Sequence, residues 1–135
     1  MTLHVEVVSP ERILWTGDAD RVIARTIGGG EIAFLTGHAP FVGALDIGTV
    51  RVHTEAGTEE VIAVHGGFVE VSHDRVTVLS DVAEVASQID VERARAAKER
   101  AEALLRTEHD VEVEASLRRA EVRLAVATGP VAAHH

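Results

Sequence analysis

The hydrophobic period of this chain changes once, at about residue 86, and one kind of secondary structure cannot satisfy both halves. Up to Asp81 apolar and polar residues alternate with period two, as in half-buried strands: Leu3, Val5 and Val7 against His4 and Glu6, Val50 and Val52 against Arg51 and His53. The segments "TEAGTEEVIAV" and "VEVSHDRVTVL" read as hairpins turning at Glu55-Ala56-Gly57 and at His73-Asp74. Short strands with close turns predict an antiparallel sandwich or a flattened barrel. Beyond "SDVAEVASQID" the chain is rich in Ala, Glu, Arg and Leu, the strong helix formers, with Ser87 or Asp90 placed to cap the start and Gly129-Pro130 to stop the end. Leu117, Ala120, Leu124 and Ala127 share one helical face. The break between two helices is expected in "TEHDVE", which has neither Gly nor Pro, so one long helix is the alternative.

Composition removes several functions. Aromatic residues make up 3% of the chain and the formal net charge is −9, so there is no stacking platform for bases and no attraction to a nucleic-acid backbone. No cysteine is present, which excludes disulfides and thiolate metal sites. "MTLHVEVVSP" lacks the pattern of a secretory signal and no apolar run is long enough for a bilayer, so the expectation is a cytosolic chain or one peripheral to a membrane-bound partner. No reading is placed on His134 and His135.

The usual catalytic signatures are also missing. Gly28-Gly29-Gly30 is not followed by Gly-Lys-Ser/Thr, since Lys98 is the only lysine. His65-Gly66-Gly67 has no accompanying nucleophile elbow and reads as a strand-end glycine pair. The histidines at 4, 38, 53, 65, 73 and 109 have no metal-ligand spacing, and Glu59-Glu60 reads as a solvated strand edge. A binding or mechanical component is therefore expected, without catalytic or metal-ligating residues. Residues 1 to 86 carry 5 basic and 13 acidic side chains, against 8 and 9 in residues 87 to 135. The helical part thus holds most of the arginines, either as ordinary surface pairs or as an anion site. The turn in "EIAFLTGHAPFV" is explained by its Gly and Pro, but not by His38, which on local grounds merely caps it.

Four segments in order, "VVSPERILWTGDADRV", "GHAPFVGALDIGTVRV", "GGFVEVSHDRVTVLSDVAE" and "IDVERARAAKERAEALL", resemble the epsilon-subunit family of bacterial F-type ATP synthases across nearly the whole chain. The resemblance implies an α+β chain: a ten-stranded antiparallel β-sandwich over 1–86, then a two-helix hairpin over 87–135. It further implies a non-catalytic part of the central rotor stalk, peripheral to the cytoplasmic face of the bacterial cell membrane. There it would bind the gamma subunit and the c-ring and couple proton translocation to ATP synthesis. Glu31 and His38 match the family's c-ring contacts. Thr36 and "AFL" stand where the family usually has Pro and Gly-Ile-Leu, which softens the turn carrying His38.

The same resemblance implies regulatory ATP binding without a phosphate loop. Ile89-Asp90-Val91-Glu92-Arg93-Ala94 carries the family's motif, so Ile89, Asp90, Arg93 and Ala94, with Glu84, Arg100, Arg119 and Arg123, match its ATP ligands. Arg93 and Arg100 are two turns apart, Arg119 and Arg123 one, so a folded hairpin could gather four guanidinium groups around a triphosphate. The alternative pairs them with Glu92, Glu99 and Glu121 on a solvated surface. In the family, ATP holds the hairpin folded, and the extended hairpin reaches the alpha and beta subunits and inhibits hydrolysis; here "TEHDVE" would supply the hinge. Two other readings stay open: a stand-alone nucleotide-binding sensor, and a small β-sandwich enzyme with a helical tail.

Overall fold

The computed structural model describes residues 2–132, with side chains to Thr128; His134 and His135 lie outside them. The strands are β1 (Leu3–Val8), β2 (Ile13–Thr26), β3 (Gly30–Leu35), β4 (Phe41–Thr54), β5 (Glu59–Ser72), β6 (Arg75–Leu79) and β7 (Ala83–Val85). A short 3-10 turn at Ala86–Gln88 leads into helices α1 (Val91–Leu105) and α2 (Val111–Ala132). Alternation in β1 does what its period requires: Leu3, Val5 and Val7 are fully buried, while His4 and Glu6 face outward.

The sheet order β1-β6-β5-β4-β2 closes on itself because β1 also pairs with β2, giving a five-stranded barrel with β3 added beside β2 and β7 beside β5. The expected ten-stranded, wholly antiparallel sandwich is therefore corrected on two counts. First, a ring with an odd number of strands cannot alternate direction throughout, and the seam between β1 and β6 is parallel. Second, seven strands replace ten because β2, β4 and β5 are each 14 residues long and continue through bends. Register shifts in β2 and the unpaired Asp46 opposite Gly66 mark those bends, where the long strands curve around the barrel. The core between them is built of Val, Leu and Ile around one large ring, Phe34.

Both expected hairpin turns form. His73 and Asp74 adopt positive φ angles of 52° and 58°, the paired left-handed conformation that suits a two-residue turn. The Asp74 carboxylate then accepts from the Gly37 amide at 2.8 Å, tying the Gly-His-Ala-Pro turn to this hairpin. His65-Gly66-Gly67 lies in the middle of β5, not at a strand end. Gly67 has φ +118°, and a Cβ there would lie 2.1 Å from the Leu79 carbonyl oxygen, so the bend requires glycine.

Asp90, and not Ser87, caps α1, accepting from the Arg93 amide at 3.0 Å. Two helices form, separated at residues 106–110, where Asp110 caps α2 through the Glu112 amide at 2.8 Å. Gly129-Pro130 does not end α2, which extends to Ala132; a proline this close to a terminus gives up little of the helical ladder. Ala94 and Ala101 of α1 and Ala120 of α2 are buried, and side chains this small let the helices approach closely. Helix α2 lies against β4 and β5, with Arg118 paired to Asp46 at 3.3 Å.

Replacing Gly67 by Ala should lower stability by on the order of 2 to 4 kcal/mol, combining strained φ with a backbone clash. Gly57→Ala, positive in φ but open in space, should cost only about 1 kcal/mol. Urea unfolding of both variants checks the difference; equal losses would mean that φ alone sets the cost at Gly67.

Candidate functional site

The antiparallel return of α2 along α1 leaves a cleft of about 560 Å³. Arg93 and Arg100 enter it from α1, Arg119 and Arg123 from α2, and Glu84 from β7. Asp90 and Ala94 also line it, with Ala97, Leu104 and Val113 among its apolar lining. Seven of the eight residues matched to ATP ligands thus share one cleft; Ile89 is not among its lining and instead closes the 3-10 turn through the Ala86 carbonyl at 3.2 Å.

Pairing with Glu92, Glu99 and Glu121 does not account for these arginines. Glu92 pairs with Arg95 at 2.8 Å, and among the described residues neither Glu99 nor Glu121 forms an ion pair. Arg119 reaches Glu112 at 2.8 Å and the Ser116 hydroxyl at 3.0 Å, while Arg93 and Arg100 make no ion pair among the described residues. Two guanidinium groups are thus left over inside a concave wall, a positive site in an acidic chain. Guanidinium groups so placed suit a polyanion with phosphate-like oxygens. Asp90 is committed to its helix cap, which sets where α1 begins and hence where Arg93 points.

Glu84 does most to join the hairpin to the barrel. One of its carboxylate oxygens accepts from Arg123 Nε at 2.7 Å and contacts His65 Nε2 at 3.1 Å, connecting β7, α2 and β5. Burial alone would raise the Glu84 pKa, but hydrogen bonds from Arg123 and His65 with the Arg123 charge outweigh it and hold the carboxyl below its usual range. Burial lowers the pKa of His65, partly opposed by its bond to Glu84 and reinforced by the charges of Arg123 and Arg119. The sequence reading missed His65, which has no motif; its one signal is its place beside the glycines that bend β5.

Glu31 and His38 are not brought together. Glu31 is the second residue of β3 and pairs with Arg51 at 3.3 Å, whereas His38 lies in the turn beyond Leu35 at the other end of that strand. His38 does more than cap its turn: Nδ1 donates to the Ala39 carbonyl at 2.7 Å while the ring packs edge-on to Phe34, centroids 5.0 Å apart. On the outer face of the barrel, register aligns Ile13, Val8, Leu79, Phe68 and Ala44 across five strands, with Ile27 bonded beside Ala44. Phe68 is 57% exposed at the centre of this apolar row.

The chain matches the family models described as the beta-sandwich domain (residues 2–86) and the long alpha-helix domain (residues 87–128) of the ATP synthase delta/epsilon chain. It is 47% identical over 131 residues to the ATP synthase epsilon chain of Halalkalibacterium halodurans, covering 93% of this chain and 97% of that one. It is 43% identical over 122 residues to that of Streptomyces griseus, with 90% and 92% covered. A chain in the structure of the Euglena gracilis mitochondrial ATP synthase superposes with a TM-score of 0.71 at 24% identity, covering 99% of this chain and 82% of that one, a likeness of fold. With both domains matched in order and relatives this close over nearly their full length, the chain belongs to the ATP synthase delta/epsilon family, alongside bacterial epsilon chains.

Proposed function

We propose that this chain works in the central rotor stalk of a bacterial F-type ATP synthase, coupling proton translocation to ATP synthesis, and that its hairpin senses ATP and restrains hydrolysis. Convergence of Arg93, Arg100, Arg119 and Arg123 on one cleft carries the ATP reading. A triphosphate seated there bridges α1 and α2 and neutralises charges that otherwise repel, so it stabilises the folded hairpin. Without ATP, the hairpin extends at residues 106–110 toward the alpha and beta subunits and blocks rotation. ATP shifts the balance only by its differential affinity for the folded form.

The apolar row around Phe68 fits the gamma subunit, because a contiguous exposed apolar face favours a protein partner. Glu31 and His38, at opposite ends of β3, meet separate loops of the c-ring, His38 held rigid against Phe34. Attachment is peripheral at the cytoplasmic face of the membrane; no helix among the described residues is long and apolar enough to cross one. A stand-alone nucleotide sensor shares the cleft but has no use for the apolar row.

Calorimetry on the whole chain should show saturable one-to-one ATP binding, weakened at least tenfold in Arg93→Ala, whose side chain has no structural partner to lose among the described residues. Unchanged affinity in that variant would remove Arg93 from the site. Phe68→Glu should abolish copurification with gamma while leaving ATP affinity intact; full retention of gamma would place the rotor contact elsewhere.

A further inference from the structure

We propose that His65 is a positioning residue that holds the hairpin on the barrel only in its neutral form, so that proton uptake by His65 releases α2. The geometry fixes the tautomer. Glu84 carries no proton to give, because Arg123 Nε donates to the same oxygen at 2.7 Å; the hydrogen between Glu84 and His65 must therefore sit on Nε2. That leaves Nδ1 as a bare acceptor, and it is buried without a hydrogen-bond partner among the described residues.

Protonation would add an N–H on Nδ1 pointing at no acceptor, inside a contact where the His65 side chain is 4% exposed. It would also place a cation beside Arg123 and Arg119 of α2, with Glu84 of β7 as the one anion facing the ring. From β4 the residue opposite His65 is Ile47, which does not titrate, and neighbouring Asp46 is engaged by Arg118. Glu84 therefore has to balance two cations instead of one. Lifting α2 away removes both arginines and admits water, so the imidazole can take its proton at little cost.

The docked pKa of His65 lies below the ordinary 6.5 of a hydrated imidazole, and undocking of α2 relieves that depression. Docking is then fully favourable above the undocked-state pKa, weakens as the pH falls below it by up to tenfold per unit, and levels off below the docked-state value. Because Glu84 and Arg123 also line the arginine cleft, His65 sets the geometry of that cleft. This nucleotide link rests on the proposed ATP reading; the link to pH does not.

Hydrogen exchange of α2 amides in the nucleotide-free full chain, corrected for intrinsic rates from pH 5 to 8, tests the latch. Wild-type protection should fall toward tenfold per pH unit as the pH drops through the undocked-state pKa of His65. His65→Gln, whose amide can still donate to Glu84 but does not titrate, should keep protection near the wild-type level at pH 8 and lose the slope. His65→Leu should lose both slope and protection. A flat wild-type profile, or a slope retained in His65→Gln, would overturn the proposal. ATP titration at pH 8 separates the two readings: a pH-dependent latch without ATP binding sinks only the nucleotide reading, and ATP binding with a flat profile sinks only the latch.

Discussion

The bend of β5 at Gly66-Gly67 governs both the closure of the barrel and the seating of the helices. It can form only where the Leu79 carbonyl may approach the backbone at Gly67 without meeting a Cβ. Buried Ser80 supports the bend, its hydroxyl 2.7 Å from the Gly66 carbonyl and 2.9 Å from that of Val82. Before the bend β5 pairs with β7, and after it with β6, so one strand closes the barrel and also carries the platform for the helices. Register sets Glu84 opposite Ala63, two residues from His65 on the same face. The polar joint to α2 is thus fixed by the same backbone constraint that shapes the barrel.

From that joint the charge distribution becomes intelligible. The acidic excess lies in residues 1 to 86, yet its member Glu84 is the one that reaches into the arginine cleft. Its carboxylate offsets Arg123 and orients it, and exposed Glu112 offsets Arg119. Arg93 and Arg100 are left without an anion among the described residues, on the wall facing those two. Alanines at 94, 101 and 120 keep the helices close enough for the four to face a common volume. Such an arrangement has two ways to relieve its repulsion: bind an anion or open.

Much of this was legible from local signals. His73-Asp74 and Glu55-Ala56-Gly57 announced turns, Asp90 announced a cap, and the β-branched, polar stretch from Thr107 to Val111 marked the helix break, because each depends on chemistry within a few residues. Closure did not show. Nothing local tells that β1 will lie parallel to β6, or that 14-residue strands will bend and continue where a reader expects a turn. His65 belongs to no local motif, since its partners lie 19 and 58 residues away on two other elements. Motif matching found Glu84 and Arg123 but not that they hold each other.

The joint between hairpin and barrel combines apolar packing of α2 with one shielded polar cluster. Helix α2 buries Val126 and half-buries Leu117, Val122 and Leu124, and among the described residues it holds few polar contacts to the strands; Arg118 to Asp46 is half exposed, so that pair contributes little. The Arg123–Glu84–His65 cluster is the better-shielded contact, with the His65 side chain 4% exposed. A ligand present at 100 times its dissociation constant adds about 2.7 kcal/mol to the state it binds. Under the proposed function, that increment sets how far the docked and extended hairpins can differ in free energy if the ligand is to decide between them. On the proposed reading, a ligand or a single proton acts at the Arg123–Glu84–His65 cluster, the polar joint that the cleft and the barrel share.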